Sequence, residues 1–264
     1  MSKTKGKVIA FACDKGGVGK TTVAYNVAAL LQSKGHKVLA IDTDRQHNLT
    51  QAELVFNGTG IPGEGRHSYA LLEDPSIDVF DLIAKGPNFD IIAGTRKLTD
   101  ADKMLDPLRA NRLFSNALKK LKQEYDYIIV DTPTGSTLTT RLSMLASDIV
   151  IVPMDFEAFG LSGTYIMFEI VDEYIEDGRR SERNLWIIPS KIDTRLNVHK
   201  KIDYEIQKEP EFENHTKKEL SIRRATAVGE AIADGEPMIR WDSKAAVTKD
   251  FDRLADFIVE ELSK

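Results

Sequence analysis

Residues 13–22 read Cys-Asp-Lys-Gly-Gly-Val-Gly-Lys-Thr-Thr, a run suited to holding a chain of phosphates. Gly16, Gly17 and Gly19, with Val18 between them, let the backbone curl so that successive N–H groups face phosphate oxygens. Lys20 stands where an ammonium reaches the β- and γ-phosphates, Thr21 where a hydroxyl binds Mg²⁺, and Thr22 within reach of an α-phosphate. A helix starting at the end of the loop adds the positive end of its dipole. The strict phosphate-loop pattern has glycine at position 14, and this chain has Asp14. Lys15 is surplus to a loop that cradles phosphates from below.

Two further acidic sites follow apolar runs. Val38–Ile41 leads into Asp42-Thr43-Asp44, whose carboxylates, two apart, point to the same side of an extended chain. Two anions at one strand end require a cation to share the site. Alternatively, Asp44 caps the helix that follows. Tyr127–Val130 ends in Asp131, a candidate Mg²⁺ carboxylate. The five histidines have no partners at metal-ligand spacing, His47 included.

These residues need a scaffold that gathers strand ends. Strands are expected at Lys7–Cys13, Lys37–Ile41, Phe89–Ala93, Tyr127–Val130, Ile149–Val152 and Leu185–Pro189. They are Val- and Ile-rich with little alternation, as buried parallel strands are. Helical patterns lie between them, at Lys20–Ser33, Ala110–Lys122 and Leu161–Glu176 among others. The alternation predicts an α/β fold: one doubly wound domain over residues 1–264, with a mostly parallel central sheet flanked by helices. Ligands in such sheets bind at the carboxyl ends of the strands. Gly58–Gly65 reads as a surface loop within that domain.

Composition narrows the class. The chain has 264 residues, 42% hydrophobic and 29% charged, with a net charge of −5 and one cysteine, Cys13. An intrachain disulfide is impossible, which fits a reducing cytoplasm. No apolar run is long enough to span a membrane. The acidic balance confines any nucleic-acid binding to a local patch. The last helix carries Val247, Phe251, Leu254, Ile258 and Leu262 on one face, with Asp250, Asp252, Asp256, Glu260 and Glu261 on the polar one. Those acids would be repelled by anionic lipid, so the helix is expected to pack on the domain.

Positions 15–21, Lys-Gly-Gly-Val-Gly-Lys-Thr, match at every specified residue the KGGxGK[ST] hallmark of the ParA/MinD family of deviant Walker A ATPases. The chain resembles that family from about Lys7 to the final helix. The resemblance implies an ATPase using ATP and Mg²⁺, in which Lys15 reaches across a nucleotide-sandwich homodimer to the other subunit's phosphates. It assigns catalysis to Lys15, Lys20 and Asp44, with Asp44 orienting the attacking water. Thr21, Asp42 and Asp131 would serve the metal. The second motif, roughly DxDPQGN in the family, reads DTDRQHN here, with Arg45 and His47 in place of proline and glycine. The stretch Pro153, Asp155, Glu157 resembles a further motif, PxxPE. By the same resemblance the base lies against Pro189, Lys191 and Asp193. Ser190-Lys191-Ile192-Asp193 also loosely resembles the guanine-reading NKxD, which leaves GTP open as the minority choice.

Near the C-terminus, Ser221–Ala231 resembles the family's IPRNxxLxEA segment, in which arginines contact DNA phosphates. Arg223 and Arg224 are therefore the DNA-binding candidates, unless they are only an exposed charged loop. Lys119, Lys120, Lys122, Arg179 and Arg180 are weaker ones. The chain looks like a short ParA without an operator-reading module. The expected function is plasmid or chromosome partition: an ATP-dependent dimer binds DNA non-specifically, and a ParB-like or other adaptor stimulates hydrolysis. The expected location is cytoplasmic and nucleoid-associated, without a membrane partner. The alternative is the same ATPase positioning another cargo, such as a division site, chemoreceptor cluster or microcompartment. Iron–sulfur relatives need several cysteines, which the single Cys13 excludes.

Overall fold

The computed structural model describes residues 6–63, 65–156, 160–193, 195–196, 204 and 206–264. Seven strands form one sheet: β1 (Lys7–Cys13), β2 (Val38–Asp42), β3 (Ile83–Lys85), β4 (Asp90–Ile92), β5 (Tyr127–Thr134), β6 (Ile149–Asp155) and β7 (Leu185–Ser190). Their order is β3-β4-β2-β5-β1-β6-β7, and every pairing is parallel except β3 with β4. The principal helices are α1 (Lys20–Ser33), α2 (Pro107–Leu121), α3 (Leu138–Ala146), α4 (Gly160–Glu176), α5 (Ala227–Ala233) and α6 (Ala246–Ser263). The expected strands and helices are all present, with ends shifted by a few residues. Glu157, Thr194 and His199 lie outside the described residues.

Period-two alternation sorts side chains between two helical layers. Ile9 and Phe11 of β1, Val38 and Ala40 of β2, and Tyr127 and Ile129 of β5 join the core under α1 and α6. Val8, Leu39, Ile41, Ile128 and Val130 face the opposite core with α2. Helix α1 is buried from Val23 to Leu31, because α6 covers its outer side with Val247, Phe251, Leu254 and Ile258. It ends where Gly35 takes φ 92°, a left-handed conformation that glycine adopts without strain. Helix α2 starts one turn earlier than expected, since Asp106 caps the Arg109 N–H and Pro107 occupies its first turn.

Two features depart from expectation. The first is β3, three partly exposed residues that the sequence pattern conceals. It folds back antiparallel on β4 through a turn at Gly86–Phe89. The buried Glu53 carboxylate closes that turn, accepting the N–H groups of Asn88 at 2.8 Å and Phe89 at 3.1 Å, and the Asn88 side-chain amide at 2.9 Å. A Cβ at Gly86 would sit 2.2 Å from Glu53 Oε1, so only glycine admits the carboxylate here. The second is Asp250, which is fully buried rather than on the polar face of α6, where it pairs with Arg223 and Arg253. No helix among the described residues is long and apolar enough to cross a membrane.

Burial raises the Glu53 carboxyl from its ordinary 4.5 to about 7, outweighing the bonds from Asn88 and Phe89 and the charge of Arg240. The folded chain therefore holds this proton more tightly than the unfolded chain does. Its contribution to stability is present below about 4.5 and is lost as pH rises through about 7. Glu53→Gln, which cannot titrate, should consequently destabilise the protein more at pH 5 than at pH 8. Urea unfolding of both proteins at the two pH values tests this, and a pH-independent gap would refute it.

Candidate nucleotide site

The sheet delivers its acidic residues to one edge. Asp42 closes β2, and the parallel register sets it directly beside Asp131 on β5. Both carboxylates are fully buried. The phosphate loop leaves β1 next door and returns through Gly19, at φ 92°, into α1. That turn brings Lys20 over the strand ends. Its ammonium donates to Asp131 Oδ1 at 2.8 Å and to the Thr132 carbonyl. The Thr21 hydroxyl lies near the same carboxylate and helps to offset the effect of its burial.

The three acids differ in what they have left to offer. Asp42 Oδ2 accepts the Thr50 N–H at 2.9 Å and the Thr50 hydroxyl at 2.8 Å, while Oδ1 accepts the Asp44 N–H at 3.1 Å. Asp42 thus holds the start of the helix at Asn48–Thr50 and braces the Asp44 backbone. The helix-capping role considered for Asp44 falls to Asp42 instead. Among the described residues, the Asp44 side chain accepts only the Gln46 N–H, at 2.9 Å. Burial, then the charge of Asp131, push the Asp42 carboxyl up to about 7. Burial also raises Asp131, against the opposing charge of Lys20.

Asp131 Oδ2 is buried with no hydrogen-bond partner among the described residues. An orphaned carboxylate oxygen beside a Thr hydroxyl fits a hydrated Mg²⁺. No three acids, histidines or cysteines cluster at direct ligand spacing among those residues. Mg²⁺ takes one or two protein ligands and fills its shell with water and phosphate oxygens. Thr21 and Asp131 are the residues that would hold it, with Asp42 behind them.

His47 has φ 43°, a left-handed conformation that costs a side chain about 1–2 kcal/mol. Glycine, the residue at this position in the motif it resembles, would adopt this conformation without that cost. Gly94, just past β4, makes room for it: a Cβ there would lie 2.9 Å from both Asp42 Cγ and His47 Cβ. Sequence reasoning missed Gly94, Thr50 and Ser68, whose hydroxyl bonds the Asp42 carbonyl at 2.6 Å. Nothing in their spacing signals the role.

Lys15 points away from the loop's own interior. Its ammonium meets both oxygens of Asp155, at 2.9 and 3.0 Å, at the end of β6. On the base side, the segment at 222–224 pairs with β7's end, Ile222 N–H to the Pro189 carbonyl and Arg224 N–H to the Ile192 carbonyl. These walls and the loop enclose a cavity of 630 Å³ lined by Gly17, Gly19, Thr22, Lys191 and Arg224 among others. Lys191, at φ 55°, donates to the Gly17 carbonyl. Pro189 and Asp193 are not among the residues lining this cavity. Pro189 is spent on the backbone pairing, and Arg195 holds the Asp193 carboxylate at 2.7 Å.

The Arg223–Arg224 pair divides. Arg223 grips Asp250 through Nε at 2.6 Å and Nη2 at 2.9 Å. Burial alone would raise Asp250, but the bonds from Arg223 and Arg253 hold it below the ordinary carboxylate range. Arg224 is exposed at the cavity mouth. Of the weaker cation candidates, Lys122 is tied to Asp148, Arg179 to Asp177, and Arg180 to the Met144 and Ser147 carbonyls.

Residues 6–187 match a family model described as an AAA domain. The chain is 32% identical to the sporulation initiation inhibitor protein Soj of Bacillus subtilis, covering 91% of this chain and 93% of that one. It is 30% identical to the chromosome partitioning protein ParA of Myxococcus xanthus, over 92% and 84% of the two chains. A Borrelia burgdorferi plasmid partition protein, solved with AMPPNP, superposes with a TM-score of 0.80 at 25% identity, over 97% of this chain and 100% of that one.

Gly94→Ala should force Asp42 and His47 apart and tilt the Asp44 turn. ATP turnover should fall by about tenfold or more, as displaced catalytic geometry does, and the protein should lose about 1–3 kcal/mol from overpacking. Steady-state phosphate release and denaturant unfolding measure the two effects, and wild-type turnover would show that the turn tolerates a methyl group.

Proposed function

Because the chain belongs to the ParA/MinD family of deviant Walker A ATPases, and is an ATP hydrolase with ATP and Mg²⁺ as cofactors, we propose that it partitions plasmid or chromosomal DNA as a nucleotide-switched homodimer. The observation that carries this reading is the second lysine of the loop. Lys15 stands at the rim of the phosphate site, partly exposed, with its ammonium on Asp155 rather than over the loop. A lysine so placed can exchange its intramolecular partners for the phosphates of an opposed subunit.

In the dimer, Lys20 meets the β- and γ-phosphates of its own subunit and Lys15 those of the partner subunit. Both neutralise charge that develops on transfer of the γ-phosphoryl group. Asp44, braced by Asp42, orients the attacking water. Bound Mg²⁺ supplies the remaining neutralisation of phosphate charge. Arg224 meets DNA phosphates without sequence specificity, and Arg223 holds its segment on α6. The dimer rides nucleoid DNA, and a centromere-bound adaptor stimulates hydrolysis to release it. The relatives named for chromosome and plasmid partition support this cargo over others.

Lys15→Gln should still bind ATP as a monomer yet fail to dimerise with it, by light scattering on a size-exclusion column. An ATP-dependent dimer of this variant would remove the trans role. Arg224→Ala should weaken duplex DNA binding and lower the slope of log affinity against log salt by about one. Arg223→Ala should instead cost about 1–3 kcal/mol of stability, by leaving buried Asp250 with Arg253 as its remaining cation. Equal DNA losses in the two variants, with unchanged stability, would contradict this division.

A further inference from the structure

The two substitutions in the second motif, Arg45 and His47, have no part in the phosphate chemistry above. They converge on one concavity of 540 Å³ behind the Asp44 turn, together with Arg96, Gln51, Val55 and Ile61. We propose that this concavity is the docking site for an acidic segment of a partner protein, one that inserts an apolar side chain between two arginines. The proposal deepens the reading of a partner-stimulated ATPase and rests on it.

Three observations point to that occupant. The first is charge. The chain as a whole carries −5, yet among the described residues none lining this hollow is acidic. The second is availability. Most arginines elsewhere on the molecule are committed, as in Arg141 to Glu173, Arg183 to Asp172 and Arg223 to Asp250. Among the described residues, the exposed guanidiniums of Arg45 and Arg96 have neither ion pair nor hydrogen bond. Planar guanidiniums of this kind bind carboxylates in a bidentate fork. The third is the apolar content. Val55 is 39% exposed and Ile61 53%, and both line the same hollow as the cations. A nucleic-acid backbone has nothing to set against two aliphatic side chains, whereas a peptide with acidic and apolar residues matches both.

The position ties occupancy to the reaction. Arg45 directly follows Asp44, and the His47 N–H bonds the Asp44 carbonyl at 2.9 Å. His47 Nδ1 closes on the Arg45 carbonyl at 3.1 Å. A ligand gripping Arg45 and packing on Val55 therefore holds the turn that aims the Asp44 carboxylate.

A displayed library of random 12-residue peptides, selected on the full chain with ATP and Mg²⁺, tests this. The recovered peptides should be rich in Asp and Glu around at least one apolar residue. The R45E/R96E double variant should bind them at least tenfold more weakly. Replacing their acids by lysine should restore binding to that variant while abolishing it on the wild type, which also shows that the variant is folded. Peptides without acidic bias, or indifferent to the double variant, overturn the proposal. So does a result in which R45E/R96E loses duplex DNA binding or self-association but not peptide binding. None of these outcomes depends on Lys15 or Arg224, so the partition reading stands or falls separately.

Discussion

Two carboxylates buried side by side on adjacent parallel strands govern this molecule. Asp42 and Asp131 face each other in register, both without solvent. Two such charges repel and lack water, so each needs a partner. Lys20 supplies one cation to Asp131, and three hydrogen bonds from Thr50 and Asp44 steady Asp42. One oxygen of Asp131 is left over. The phosphate loop, the Asp44 turn and the metal-binding capacity all follow from how that buried charge is distributed.

The backbone around these acids is correspondingly tight. A left-handed His47 sits against a glycine at 94 that cannot be enlarged without striking Asp42 or the histidine. Strain of this kind survives only where surrounding structure over-determines it. Here the Thr50 hydroxyl does so, accepting the Gly94 N–H at 2.8 Å while donating to Asp42. The turn bearing Asp44 is thus held from below by β4 and from within by β2. Its outer side, with Arg45, is the part left open to another molecule.

Ion pairs away from the phosphates divide the remaining labour. Lys15–Asp155 parks a cation at the rim, and Arg223–Asp250 fastens the 222–224 segment to α6. Each joins a surface element to a buried acid. Their difference lies in what surrounds them: Asp155 faces the phosphate loop, whereas Asp250 also receives Arg253 and lies within the α6 packing. The first lies at the edge of the phosphate site, and the second is structural. Adjacent arginines with the same sequence signal consequently differ in availability.

Much was legible from the chain alone. The phosphate loop, the strands leading to Asp42 and Asp131, and the parallel α/β layout are set by local spacing. Glycine runs, Val- and Ile-rich segments and helical periodicity act within a few residues of one another. Family membership was legible for the same reason, since Lys15–Thr21 is contiguous. Tertiary structure alone decided which partner each charge meets. Lys15 and Asp155 are 140 residues apart, and Glu53 reaches Asn88 across 35. It also decided that Asp42 rather than Asp44 caps the helix, and that β3 exists. Those outcomes depend on burial and on competition among many possible donors, quantities that exist only once the sheet has brought distant strand ends together.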